Sequence, residues 1–224
     1  MQAAEQSPDP VARALAYPYT VPPRSFLLGG ASPADVREVD PADTETGDRT
    51  RLLAYGSNAA PEVLARKLGE SAGEHPVLAV RGTLSDFDVV YSAHISPYGS
   101  IPAALQRSPG TEAAVFVLHL TGEQLALISP TEPNYELVAL RDISCRLESG
   151  ETLAELDAFA SRHGPLLVDG TEVALAAVEA RGRRFPAMSE TEVLEHVRDA
   201  LCPGEDLGRF MADWRSKPLS GLSD

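Results

Sequence analysis

The sequence predicts an α+β fold, and three observations carry that expectation. A short apolar run, Leu52-Leu53-Ala54-Tyr55, stops at the small residues Gly56-Ser57-Asn58 and gives way to a helical pattern. Between Val77 and Leu147, apolar segments alternate with polar positions, the period of strands with one buried face. The last quarter then shifts to helical spacing, introduced by Ser189 and Glu192 in the arrangement of a capping box.

Residues 1–48 hold eight acids, three arginines and seven of the 18 prolines, and only Ser25 to Leu28 is apolar enough to pack. Proline fixes φ and removes a donor, so this stretch reads as an acidic extension, with a linker over 40–49. The folded domain is expected over 49–216, with a tail at 217–224. Leu52 to Tyr55 is its first strand. Pro61 suits a first helical turn, Glu62 suits the positive end of the helix, and Val63, Leu64 and Leu68 share one face. Strands follow at Val77 to Thr83 and Asp86 to Ala93, then a Pro/Gly loop from Ser96 to Pro102. Ala103 to Gln106 and Ala113 to Leu120 read as a hairpin around Ser108-Pro109-Gly110. Thr121 and Gln124 form a capping box for a helix that Pro130 stops. Further strands are expected at Tyr135 to Leu140, Ile143 to Leu147 and Val173 to Ala180, while Thr152 to Val168 fits neither pattern. Two helices close the sequence, one under Val193, Leu194, Val197 and Leu201 and one over Glu205 to Trp214 whose apolar face packs on the core.

Composition narrows the function. The 224 residues suit one domain, and 43% hydrophobic content is enough for a core. With 19 basic and 33 acidic residues the net charge is −14, which repels phosphate backbones and anionic lipid surfaces, so neither nucleic acid nor membrane is an expected partner. Cys145 and Cys202 cannot make a disulfide framework, and Met1 to Pro10 lacks the pattern of a secretory signal, so a cytoplasmic location is expected. The sequence contains no G-x-S-x-G, Walker, dinucleotide or H-E-x-x-H motif. His75, His94, His119, His163 and His196 are scattered without i, i+4 pairing, and neither cysteine has a C-x-x-C partner. No metal site and no cofactor are expected. His119 reads as a hydrogen-bonded strand histidine, and Arg181, Arg183 and Arg184 as a solvated strand end.

Chemistry concentrates at Tyr55-Gly56-Ser57-Asn58. A loop of small residues between strand and helix aims several backbone N–H groups at one point, which suits a carboxylate or an oxyanion. This strand, loop and helix over Leu52 to Leu68 resemble the gamma-glutamylcyclotransferase-like superfamily, whose hallmark is an apolar strand ending in Y-G-S-N. The stretch Ala113 to Leu125 is similar to a segment that precedes the family's catalytic glutamate, and Glu132 falls at that position. The resemblance covers roughly Arg51 to Leu147. It departs where relatives read L-D-x-x-E-G: here Ser129 replaces the aspartate, Pro133 replaces the glycine, and Tyr135 stands closer to the glutamate.

The resemblance implies a small mixed β-barrel-like sheet with helices packed outside and a site at one mouth. It implies a substrate with a free α-amino acid head, a gamma-glutamyl peptide or amine, converted to 5-oxoproline with release of the amine. Tyr55, Gly56, Ser57, Asn58 and Tyr135 are the implied binding residues and Glu132 the implied proton shuttle, a carboxylate whose proton affinity partial burial raises. Ring closure is intramolecular, so proximity supplies an effective molarity of ~10⁵ M or more and no cofactor is required. Two other readings use the same residues: a non-catalytic small-molecule or regulatory module, and an acyl or amide transferase with another substrate. Oligomeric state is not encoded in any of these features.

Overall fold

The computed structural model describes residues 9–44, 47–219 and 221–222. Its elements begin with α1 (Pro10–Leu15), β1 (Phe26–Leu28), β2 (Val36–Glu38), β3 (Thr50–Ala54), α2 (Pro61–Leu68) and α3 (Ser71–Glu74). The long strands β4 (Val77–Tyr91) and β5 (Ala103–Leu120) follow, then α4 (Gly122–Ile128), β6 (Tyr135–Leu147) and β7 (Thr152–Ser161). Short strands β8 (Leu167–Val168), β9 (Thr171–Glu172), β10 (Ala174–Leu175), β11 (Ala180–Arg181) and β12 (Ala187–Met188) precede α5 (Glu190–Leu201) and α6 (Leu207–Asp213).

Five of these strands close on themselves in the order β5, β3, β7, β6, β4 and back to β5. Four seams are antiparallel and β3 to β7 is parallel, so the fold is an α+β structure built on a closed, mixed five-stranded barrel. Burial on both faces explains the continuous apolar run of β3. Leu53 and Tyr55 join the main core with Val80, Val115 and Leu156. Leu52 and Ala54 point the other way, into a second core with Leu64, Leu68, Phe116 and Phe159. The α2 helix therefore packs on the outside of the barrel, with its Val63 and Leu64 face inward.

Several local expectations are corrected. Ala103 to Leu120 is one strand, not a hairpin, because β4 is long enough to pair with both halves: Ala103–Arg107 lie against Phe87–Tyr91, and Glu112–His119 against Leu78–Ser85. The turn residues Ser108-Pro109-Gly110 become a bulge, where the missing N–H of Pro109 leaves no ladder bond unmade. Gly110 donates its N–H to the Asp86 carboxylate at 2.8 Å, and both residues have positive φ, as a break in register demands. Val77 to Ala93 is likewise one strand as far as Tyr91. The unassigned stretch after Thr152 supplies β7, and the strand expected at 173–180 is reduced to β10 and β11.

The described part of residues 1–48 is packed. Phe26–Leu28 pair with Val77–Ala79, and Phe26 and Leu28 are fully buried. The tail region also docks: the Leu219 N–H donates to the Ala93 carbonyl at 2.8 Å, and Leu219 is buried. Residues 45–46 of the expected linker, residues 1–8 of the extension and residues 220 and 223–224 of the tail lie outside the described residues. Among the described residues, no helix is long and apolar enough to cross a membrane, and no disulfide links Cys145 to Cys202.

Candidate active site

At the mouth of the barrel next to β3 lies a cavity of about 560 Å³, in the size range of small-molecule sites. Its walls include Tyr55, Gly56, Ser57, Asn58, Glu132 and Tyr135, all six residues singled out from the sequence.

The loop after β3 is fixed at both ends. The buried Tyr55 hydroxyl donates to the Phe159 carbonyl on β7, tying the strand end across the parallel seam. Ala59 and Ala60 donate back to the carbonyls of Gly56 and Ser57 at 3.0 Å, forming a single 3₁₀ turn before Pro61 opens α2. The backbone N–H groups of Gly56, Ser57 and Asn58 are bonded to no acceptor among the described residues. Gly56 is required by close approach: a Cβ there would stand 2.7 Å from the Tyr17 hydroxyl and 3.1 Å from the Ala103 Cβ.

Glu132 reaches this loop from the other side. The α4 helix carries a complete capping box between Thr121 and Gln124 and buries Ile128. A 3₁₀ turn over Ser129–Thr131 follows, with Ser129 Oγ donating to the Leu125 carbonyl at 2.8 Å. The departures at Ser129 and Pro133 thus keep Glu132 directed at the cavity. Its Oε1 accepts from Asn58 Nδ2 at 2.9 Å and from Lys67 Nζ at 2.5 Å, and Lys67 also donates to Asn58 Oδ1 at 2.8 Å. The three side chains close a triangle, with Lys67 and Glu132 only 11% and 13% exposed. Glu132 is partly buried, as expected, and in addition an ammonium touches it, so that Lys67 and Glu132 form an ion pair at the cavity wall. Its Oε2 has no protein partner among the described residues.

Three phenols line the site as neutral groups. Tyr135 donates to the Ala103 carbonyl at 2.8 Å, and the Tyr17 hydroxyl accepts the Ala103 N–H at 2.7 Å. Burial, with Glu132 adding to it, raises the pKa of Tyr17, Tyr55 and Tyr135 above the ordinary tyrosine value. Beside Tyr135, burial and the neighbouring His163 push the His94 imidazole down to about 3. Arg66 and Tyr98 form the rim, where the guanidinium groups of Arg13 and Arg66 lie 4.8 Å and 5.6 Å from the Tyr98 ring centre. The lining carries two cations, Arg66 and Lys67, against one anion, Glu132, on a chain of net −14. Among the described residues, no group of three or more His, Cys, Asp or Glu side chains is arranged to hold a metal ion.

Sequence reasoning did not single out Lys67, Tyr17 or His94 for this site. Lys67 follows Val63 by one helical turn, so the helix started at Pro61 already placed it beside the loop. Tyr17 gave no signal among prolines. Two other expectations also change. His119 is buried, and its Nε2 has no hydrogen-bond partner among the described residues, while burial pushes its imidazole down to about 4. Arg183, within the cluster read as solvated, grips the fully buried Asp88 through Nε at 3.0 Å and Nη2 at 3.1 Å.

No family model and no curated protein matches the chain. Among solved structures, a gamma-glutamyl cyclotransferase aligns over 79% of this chain and 94% of its own, with 12% identity and a TM-score of 0.41. A solution structure of an Arabidopsis thaliana protein aligns over 51% of this chain and 62% of its own, with 16% identity and a TM-score of 0.38. The allophanate hydrolase of Kluyveromyces lactis aligns over 60% of this chain, with 13% identity and a TM-score of 0.36. The chain spans less than two thirds of the Arabidopsis protein and 19% of the hydrolase.

Proposed function

We propose that the protein is an amine-releasing cyclotransferase acting on a gamma-glutamyl peptide or amine. The observation that carries this reading is the meeting, in one cavity, of a carboxylate with a free Oε2 and three unbonded backbone N–H groups, with Lys67 and Asn58 fixing the carboxylate's other oxygen.

The substrate's α-nitrogen attacks its own γ-carbonyl carbon. One C–N bond forms to close the lactam and the C–N bond to the leaving amine breaks. The α-ammonium gives up two protons in becoming the lactam N–H, and the departing nitrogen takes up two in leaving as an ammonium, so the reaction consumes no net proton. Glu132 Oε2 accepts from the first nitrogen and returns to the second, as one positioned carboxylate does for two nitrogens within reach. The N–H groups of Gly56 to Asn58 hold the anionic head of the substrate, and the neutral phenols of Tyr17 and Tyr135 keep the cavity floor rigid through Ala103. The nucleophile is the substrate's own α-nitrogen, so the reaction asks no nucleophilic side chain of the protein.

The test is release of 5-oxoproline and free amine from a panel of gamma-glutamyl dipeptides and amines by wild type and Glu132→Gln. The expected outcome is turnover by wild type and a loss of ~10² or more in kcat for the variant. Binding of a glutamate-like ligand without turnover by either protein would replace this reading with that of a binding module.

A further inference from the structure

We propose that His94 is a second hydrogen-bond donor of this site, presenting an uncharged Nε2–H to the substrate's reacting carbonyl oxygen. The proposal rests on the cyclotransferase reading for the identity of that oxygen. The donor itself follows from the hydrogen bonds around the ring.

His94 is 2% exposed and lines the cavity. Behind it runs a chain of three polar contacts. The backbone N–H of His163 donates to Ser161 Oγ at 3.1 Å, Ser161 Oγ lies 2.6 Å from Ser92 Oγ, and Ser92 Oγ lies 2.8 Å from His94 Nδ1. A backbone N–H can only donate, so Ser161 accepts at that end. The one other partner of Ser161 Oγ among the described residues is Ser92, which therefore receives its hydrogen. Ser92 in turn spends its own hydrogen on His94 Nδ1. The reverse direction would leave the Ser161 hydrogen without a protein acceptor among the described residues. Nδ1 is thus an acceptor, and the ring hydrogen of a neutral imidazole sits on Nε2, which has no partner among the described residues. Burial, with the neighbouring His163, disfavours the imidazolium here.

A donor that opens onto the cavity with no protein partner among the described residues is placed to bond an acceptor brought in from outside. The position relative to Glu132 names which one. Asn134, two residues beyond Glu132, contacts His163 Nε2 at 3.1 Å through Oδ1. The His163 ring lies 4.5 Å from that of His94, and the Tyr135 ring meets His94 edge-on at 5.9 Å. The segment that presents Glu132 therefore also braces the imidazole. A gamma-glutamyl head has two acceptor groups, the α-carboxylate and the γ-carbonyl. The backbone donors of Gly56 to Asn58, beside the Lys67 ammonium, suit the permanent charge of the carboxylate. The uncharged His94 suits the carbonyl, whose oxygen is neutral in the ground state and gains charge as the ring closes. A preorganised donor at that oxygen stabilises the transition state more than the substrate.

The experiment has two arms on the full chain. The first records long-range proton–nitrogen correlations of the ¹⁵N-labelled histidine rings at pH 7, with His94 assigned by its loss in His94→Gln. A neutral Nε2–H ring is expected; an Nδ1–H ring or an imidazolium overturns the proposal whatever the protein's activity. The second arm measures kinetics with the gamma-glutamyl panel. His94→Ala is expected to lower kcat about 10²-fold with KM within roughly threefold of wild type. His94→Gln, which retains an amide N–H, is expected to recover about tenfold of that loss. Equal losses in both variants, or a change confined to KM, overturn the role at the carbonyl. Should His94→Ala fail to fold, Ser92→Ala keeps the ring and releases its tautomer, with a kcat loss of roughly threefold or more expected at unchanged KM. Absence of wild-type turnover would sink the cyclotransferase reading alone, because the ring spectrum still decides on the donor.

Discussion

Two stretches of the cavity wall, residues 129–135 and 96–102, are each held by a glutamate, and the two carboxyls live under opposite conditions. Glu132 meets an ammonium and an amide on one oxygen and leaves the other facing the cavity. Glu190, the first residue of α5, is 3% exposed and lies behind the second stretch. Its Oε1 accepts the Ile101 N–H at 2.7 Å, and its Oε2 has no partner among the described residues. Burial pushes this carboxyl well above the usual carboxylate range, and the Ile101 N–H only partly opposes it. One carboxyl is paired with a cation and opens on the cavity, while the other is buried without a cation, pushed toward its neutral form, and pins a loop as a strut. The residue type is the same, and the partners decide the role.

Removing the cation tests that contrast most severely. Lys67→Met strands the Glu132 carboxylate at 13% exposure and is expected to cost about 3 kcal/mol in chemical denaturation. Lys67→Met combined with Glu132→Gln should recover most of it, and a double variant no more stable than the single would show that the pair is not what is being measured. Next in size is Gly56→Ala, whose methyl meets the Tyr17 hydroxyl at 2.7 Å. The expected loss is about 2 kcal/mol, relieved in part by adding Tyr17→Phe. The smallest effect belongs to the strut. A raised carboxyl holds a proton in the folded state that the unfolded chain has released, so its contribution is complete below the ordinary glutamate value of 4.5. That contribution is lost as pH rises from there toward the folded value. Glu190→Gln keeps the acceptor for Ile101 and has no proton to lose. Urea melts from pH 4 to pH 8 should find the variant gaining on wild type as pH rises, and parallel curves would refute the strut.

What the sequence announced was local. The capping boxes at Thr121 and Ser189, the passage from β3 through Gly56 to α2, and the strand-period alternation between Val77 and Leu147 depend on residues two to four apart, and the α+β class followed from them. What it concealed was decided at long range. Pro109-Gly110 carries strong turn chemistry, yet β4 offers a partner on both sides, and ladder bonds outweigh the turn. β7 reads ambiguously because Leu153 and Leu156 are three apart among Ala and Glu, good helix formers, while the adjacent Ala158 and Phe159, buried in the two different cores, break the alternation. The six site residues named from the resemblance line one cavity, but Lys67 and Tyr17 came to it through tertiary packing. His94 became informative only once Ser92 and Ser161 were seen together, 69 residues apart in the chain.

The parallel seam between β3 and β7 also governs how the barrel is made. Leu52 and Leu53 pair with Asp157 and Ala158, so during synthesis the first strand of the ring waits with one edge open until more than a hundred further residues have emerged. Closure over so long a loop is slow relative to hairpin formation, and an exposed strand edge meanwhile invites pairing with other chains. The Tyr55 hydroxyl bond to Phe159 crosses this same seam. The site loop is therefore set only when the last strand locks, and a nascent chain cannot present the site before its barrel is shut.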